Sequence, residues 1–262
     1  WMTDYMSERI RNWGIDIYRH DANIRAFYLF KLLDTPERQG IVENRYFTGF
    51  YQYWDDLLSR HPGLAIDNCS SGGRRIDIEM CRRSYPLWQS DVQVFCPDWP
   101  QTFPAYRFIE FPTMCQVQNY GLSMYVPLHT GGLWHAWDKY YFRSMSSYGV
   151  PFSNDILYPQ NFGLEKYPVE EVKANIAELK QIRDLGLGDL YPLTEINADL
   201  TQWCAWQFHR RDLNAGYAVL FRRSLSPYEQ MELNLAGIDL TAQYKVIFSD
   251  DNKEQILSGR EL

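Results

Sequence analysis

The chain has 262 residues, 45% of them apolar and 16% aromatic, enough to bury a sizeable core in one large domain or in a large and a small one. Its formal net charge is −7 with no basic stripe or Lys/Arg block, which argues against nucleic acid and anionic membrane as partners, and no run of apolar residues is long enough to span a bilayer. Cysteines at positions 69, 81, 96, 115 and 204 form no Cys-x-x-Cys pair, so a disulfide framework and a zinc ribbon are both disfavoured and free thiols are expected.

Met2, Met6, Ile10 and Trp13 recur at helical spacing, which predicts a helix over Trp1–Trp13 closed by Gly14. The chain starts on Trp in the middle of that pattern, without initiator Met or signal peptide, so a segment of a longer protein is expected. Ile15–Asp21 reads as a strand with a polar end. A second unit follows, with a helix over Arg45–Arg60, a Pro62-Gly63 break and a strand over Leu64–Asn68. Ile76–Ser84 suits a short helix and Pro86–Asp91 a strand. Tyr106–Tyr120 reads as a helix that Pro112 should kink or break. A strand over Leu122–His129, a helix over Trp134–Tyr148 and a strand over Val150–Ser153 come next. The helix Val169–Leu185 sets Val172, Ile176, Leu179 and Ile182 on one face.

From Gly188 the pattern changes to short β-type runs at Gln202–Phe208, Ala215–Arg222, Met231–Leu235 and Tyr244–Phe248, separated by turn signals. Regular βα alternation before that point calls for parallel strands with right-handed crossovers. No G-x-G-x-x-G follows a strand and several strands end in polar residues, which favours a (β/α)8 TIM barrel over a doubly wound sheet. The units are too few to close a barrel. The expected architecture is therefore α/β: the fourth to eighth strands of a barrel over residues 1–187, followed by a small antiparallel β-sandwich domain over residues 188–262.

Two strand-end carboxylates stand out. Asp21 lies two residues from Arg19, on the same pleat face, so the cation should favour its charged form. Asp91 follows Trp88, whose bulk is expected to desolvate the carboxyl and favour its protonated form. One charged and one protonable carboxyl group are the requirements of glycoside hydrolysis, with retention of configuration when they stand about 5–5.5 Å apart. The competing reading is that each Asp caps the following helix. Trp and Tyr, with 9 and 19 copies, fit either sugar stacking or an aromatic core.

Other signals are weaker. His129 and His135 bracket a glycine turn with only Asp138 nearby, which favours a substrate-facing loop over a metal site. Trp134 and Trp137 suit stacking or packing equally. Ser70-Ser71 lacks the G-x-S-x-G frame of a nucleophile turn. The pairs Arg222-Arg223 and Arg74-Arg75 read by themselves as solvated surface.

The segment Gly14-Ile-Asp-Ile-Tyr-Arg-His-Asp21-Ala-Asn23 resembles the Lys-Trp-Asp-Met-Asn strand of glycoside hydrolase family 36, the α-galactosidases or melibiases of clan D. Cys69-Ser-Ser-Gly-Gly-Arg-Arg75 with Asp77 resembles that family's C-S-S-G-G-G-R-x-D turn, and Leu87-Trp-Gln-Ser-Asp91 resembles its I-W-T-S-D strand. Gly188–Tyr191 and Leu235–Leu240 resemble its junction and C-terminal sandwich. The resemblance implies that Asp21 is the nucleophile and Asp91 the acid/base, and that Arg19 and Asn23 hold sugar hydroxyls. It also implies that Cys69 and Gly72 line the pocket near the sugar C2 substituent, with Trp88 beside them. No cofactor or metal is implied, and the partner is an oligosaccharide or glycoconjugate carrying terminal α-galactose.

Arg19 replaces the family's Lys, a planar fork for a point donor. His20 and Ala22 replace Trp and Met, and Arg74 replaces a third Gly. These departures leave open an α-N-acetylgalactosaminidase, a galactosyl-transferring relative and an inactive sugar-binding fragment. Homo-oligomerisation and cellular compartment are left open.

Overall fold

The computed structural model describes residues 1–23, 26–91, 110–126 and 128–262. Two compact units make up the chain, Trp1–Val92 and Gln93–Leu262.

In the first unit, helix α1 spans Met2–Trp13 and ends as expected at Gly14, whose φ of 64° places it in the left-handed region and lets its N–H reach the Ile10 carbonyl. Strand β1 (Ile17–Asp21) follows, then α2 (Phe27–Leu33), a 3-10 turn at Pro36–Arg38, α3 (Ile41–Arg60), β2 (Ala65–Cys69) and the short α4 (Ile78–Cys81). Sequence patterning does not announce α2, because Phe27, Leu29, Leu32 and Leu33 are exposed and only Phe30 is buried, so no amphipathic stripe exists. β1 and β2 pair in parallel, as the βα repeat requires. One face of the pair carries Tyr18 and Ile66 into a core with Ile10, Trp54, Leu57, Leu64 and Met80. Trp54 and Leu57, three residues apart on α3, are completely buried.

The expected strand over Pro86–Asp91 is reduced to a single bridge. Tyr85 pairs in parallel with Asp67, with Tyr85 N–H donating to the Ile66 carbonyl and Asn68 N–H to the Tyr85 carbonyl. Leu87, the next residue whose N–H would face β2, donates to the Tyr85 carbonyl instead, which ends the pairing. α4 is shorter than expected, opened by the Asp77 carboxylate accepting the Met80 N–H at 3.0 Å.

In the second unit, α5 (Phe111–Ser123) is opened, not kinked, by Pro112, which sits in the first turn where no intrahelical N–H is needed. α5 runs to Ser123, and among the described residues of the expected strand over Leu122–His129 there is no strand. The parallel pair here is instead β3 (Gly132–Leu133) with β4 (Phe152–Ser153). α6 covers only Lys139–Met145, opened by Asp138, and α7 covers Val169–Ile182 with Val172 and Leu179 buried. Antiparallel structure follows: β5 (Asp189–Pro192), β6 (Cys204–Arg210) and β7 (Ala215–Phe221) form one sheet, and β8 (Gln243–Phe248) with β9 (Lys253–Ser258) a hairpin. Met231–Leu235 is not a strand.

Tyr120 of α5 stacks on Trp206 of β6 with centroids 5.1 Å apart, in a cluster with Cys204, Phe208 and Phe221. Arg223, expected on the surface, is 2% exposed and donates to the Gln116 side chain, the Asn197 side chain and the Asp199 carbonyl. The fold is thus mixed α/β. Among the described residues the parallel pairs stand as separate two-stranded sheets without closing a barrel, and no helix is long and apolar enough to cross a membrane.

Candidate functional site

The sequence-derived candidates all fall in the first unit. β1 and β2 run level, setting Arg19 beside Asp67, His20 beside Asn68 and Asp21 beside Cys69. Side chains alternate along a strand, so Arg19, Asp21, Asp67 and Cys69 share the face turned away from the α1–α3 core. On the other face His20 is wedged among Phe50, Tyr53 and Trp54 and accepts a hydrogen bond from the Trp54 indole N–H at 3.1 Å. Burial, reinforced by the charge of Arg75 and opposed by Asp21, pulls the His20 pKa down to about 4, so the ring is neutral near pH 7.

Beyond the strand ends, the turn after β2 grips the chain after β1. Ala22 N–H donates to the Cys69 carbonyl, and the Ala22 carbonyl accepts from Ser70 Oγ at 2.8 Å and Arg75 Nη2 at 2.9 Å. Asn23 Oδ1 accepts from the Ser71 N–H at 2.6 Å and its Oγ at 3.1 Å. The oxygen of Asn23, expected to serve a sugar, is thus engaged by the turn. Arg75 is half-buried and also lies over the Phe50 ring at 5.1 Å, so it is a structural tie and not the solvated residue that its pairing with Arg74 suggests.

Asp91 arrives at the same turn. Ser71 and Gly72 adopt φ of 45° and 74°. A Cβ on Gly72 would stand 2.6 Å from the Asp91 nitrogen, and one on Gly73 would stand 2.4 Å from the Gln89 carbonyl oxygen. The 89–91 backbone therefore lies flush on a glycine surface that no side chain could share. Trp88, expected to act by its bulk, meets the Asp91 carboxylate through its indole N–H, 3.2 Å from Oδ1.

Charge on the shared face is organised by Arg19. Nη1 contacts Asp67 Oδ2 at 2.5 Å, and Nη2 lies 3.4 Å from Asp21 Oδ2. Burial depresses the Arg19 pKa, but the bond to Asp67 and its charge outweigh that, so the guanidinium is held charged. Burial pushes the Cys69 thiol up, against the Gly72 hydrogen bond and the Arg19 charge, which keeps Cys69 protonated and not a nucleophile. Asp67 and Arg75 are the participants that sequence reasoning missed. Asp67 joins Arg19, Asp21 and Cys69 on one face only because the two strands run level, a register that neither segment shows by itself.

Elsewhere, His129 is buried with its Nε2 3.0 Å from Ser123 Oγ and its pKa lowered to about 4 by burial, and Trp134 is 1% exposed in the core. Both pack, so the expected substrate-facing loop does not present them. Trp137 stacks on His135 at 5.2 Å. Among the described residues no group of three or more His, Cys, Asp or Glu side chains is placed to hold a metal.

Residues 1–95 match the melibiase family model. An α-galactosidase of Pediococcus pentosaceus is 31% identical over 88 residues, covering 34% of this chain and 12% of that protein. One of Lactobacillus acidophilus is 24% identical over 259 residues, covering 95% of this chain and 32% of the relative, so the chain spans about a third of that relative's length. Among solved structures, a family 36 α-galactosidase of Geobacillus stearothermophilus in complex with 1-deoxygalactonojirimycin superposes with a TM-score of 0.68 at 21% identity, over 99% of this chain and 34% of that one. The chain is homologous to family 36 α-galactosidases at low sequence identity, and its mixed α/β fold matches theirs.

Proposed function

We propose that the chain carries the nucleophile and the acid/base of a retaining α-galactosidase, on the strands of a (β/α)8 barrel wall, with residues 188–262 as a C-terminal β-sandwich domain. The observation that supports this best is the convergence of three sequence-distant motifs. The end of β1, the Cys69–Gly73 turn and the 88–91 segment are joined by the Asp21–Cys69 pairing and the approach of Gly72 to Asp91.

In this reading an Asp21 oxygen attacks the anomeric carbon while Asp91 gives its proton to the departing glycosidic oxygen, leaving a glycosyl ester on Asp21. Water then attacks the same carbon, losing a proton to Asp91, and the ester bond breaks to release galactose of retained configuration and the free Asp21 carboxylate. The charged Arg19 and the amide of Asn23 hold sugar hydroxyls. Cys69 and Gly72 set the room at C2, and Trp88 steadies Asp91 through its N–H.

Hydrolysis of aryl α-galactosides tests the roles separately. Asp21→Asn is expected to lower kcat by about a thousandfold or more whatever the leaving group. Asp91→Asn is expected to spare substrates with acidic phenol leaving groups, which need no proton, and to respond to added azide. An Asp21→Asn variant that still turns over like the unsubstituted chain would remove the assignment.

A further inference from the structure

Arg19 stands between two carboxylates of unequal standing. Asp67 has its side chain 8% exposed and Asp21 37%, while Arg19 itself is 42% exposed. The guanidinium donates a short bond from Nη1 to buried Asp67 at 2.5 Å and a long one from Nη2 to Asp21 Oδ2 at 3.4 Å. The other Asp67 oxygen, Oδ1, is buried without a hydrogen-bond partner among the described residues. Arg19 is therefore the one cation in direct contact with Asp67 there, and attraction between charges strengthens as water is excluded. A guanidinium not held this way has a planar fork matched to a carboxylate, and the nearest one is Asp21, two residues along the same face.

From this geometry we infer that Asp67 is a positioning residue that draws Arg19 back from Asp21 and keeps the attacking carboxylate open to the sugar. The inference rests on the reading of Asp21 as nucleophile. Asp67 touches no substrate in this scheme. It acts through Arg19, with Nη1 committed to the buried acid and Nη2 left on a single long bond to Asp21 Oδ2 that a sugar hydroxyl can take over. When Asp67 loses its charge, Arg19 closes on Asp21 as a two-pronged pair and masks both of its oxygens.

Two measurements test it, and the first needs no turnover. In an Asp21→Asn chain with 15N-labelled arginine, the Arg19 guanidinium NMR signals are expected to show restricted rotation, because Asp67 still holds it. In Asp21→Asn/Asp67→Asn they are expected to average. Free rotation in Asp21→Asn alone would make Asp21 the anchor and overturn the inference. This comparison decides even if the Asp67 variants fail to fold.

The second is a kinetic cycle. Asp67→Asn is expected to lower kcat by about tenfold or more with a smaller change in KM, and adding Arg19→Met is expected to recover part of that loss. A loss that is the same with Arg or Met at position 19 would mean that Asp67 serves structure alone. Absence of turnover in the unsubstituted chain counts against the α-galactosidase reading and leaves the guanidinium signals to decide the role of Asp67.

Discussion

At the scale of single residues, the first unit rests on polar groups that are buried in a fixed protonation state. His20 is the clearest case, its pKa lowered by burial to about 4 in the folded chain from the ordinary histidine value of 6.5. The unfolded chain therefore binds more protons between those values, and stability rises with pH across that window. The contribution is fully present above about pH 6.5 and is lost as the pH falls toward 4, at most about 3 kcal/mol. Urea unfolding of the first unit at pH 4.5 and 7.5 should show this loss, and His20→Phe should flatten it. An unchanged pH dependence in that variant would place the acid sensitivity elsewhere; His129, with the same direction of shift, acts in the second unit. Asp21 stood out as a candidate at this scale because Arg19 lies two residues away on the same pleat face, while the helix-cap reading stayed open and the nucleophile role came from the family resemblance. Asp67 was not legible, because its meaning depends on the register of a neighbouring strand, which no single segment encodes.

At the scale of elements, the decisive piece is the turn after β2. It ties β1 to the 88–91 segment through backbone approach, so its glycines are structural requirements of the site and not spacers. Gly72→Ala should be disruptive twice over, since φ of 74° disfavours a side chain and its Cβ would collide with the Asp91 nitrogen. The expected cost is about 1–3 kcal/mol, measured by urea unfolding. Stability equal to that of the unsubstituted chain would mean that the 89–91 backbone does not depend on the turn. Elements with a strong period, α1, α3 and α7, were legible in the sequence. Two boundaries were misread: Pro112 starts a helix that it was expected to break, and the strand expected to open at Pro86 ends at Tyr85. The first follows from the missing N–H, which is harmless in a first helical turn, and the second from Leu87, whose N–H turns back onto the Tyr85 carbonyl. The hairpin strand Lys253–Ser258 was hidden because Lys, Glu and Gln dilute its alternation.

For the whole molecule, division into two compact units sets how the parts should respond to damage. In the second unit, α5 and the antiparallel sheet share the Tyr120–Trp206 cluster and the buried Arg223, so they should unfold together. Arg223→Met removes three donated hydrogen bonds, although Gln116 keeps its bond to Ser144 and Asn197 the one from the Asp199 N–H, and should cost about 1–3 kcal/mol. Hydrogen exchange should then show protection falling in α5 and β6–β7 alike; loss confined to the sheet would mean that the two parts are energetically separate. The barrel and sandwich division was read from a change of periodicity at Gly188, whereas the packing of α5 on β6 is a long-range contact that periodicity does not carry. The central claim remains the covalent role of Asp21. Mass spectrometry after incubation with a slowly released fluorinated α-galactosyl substrate tests it most directly. The account predicts a glycosyl adduct on the peptide containing Asp21, absent in Asp21→Asn and cleared by dilution into buffer. An adduct on any other carboxylate, or hydrolysis at full rate with no adduct on Asp21, would contradict it.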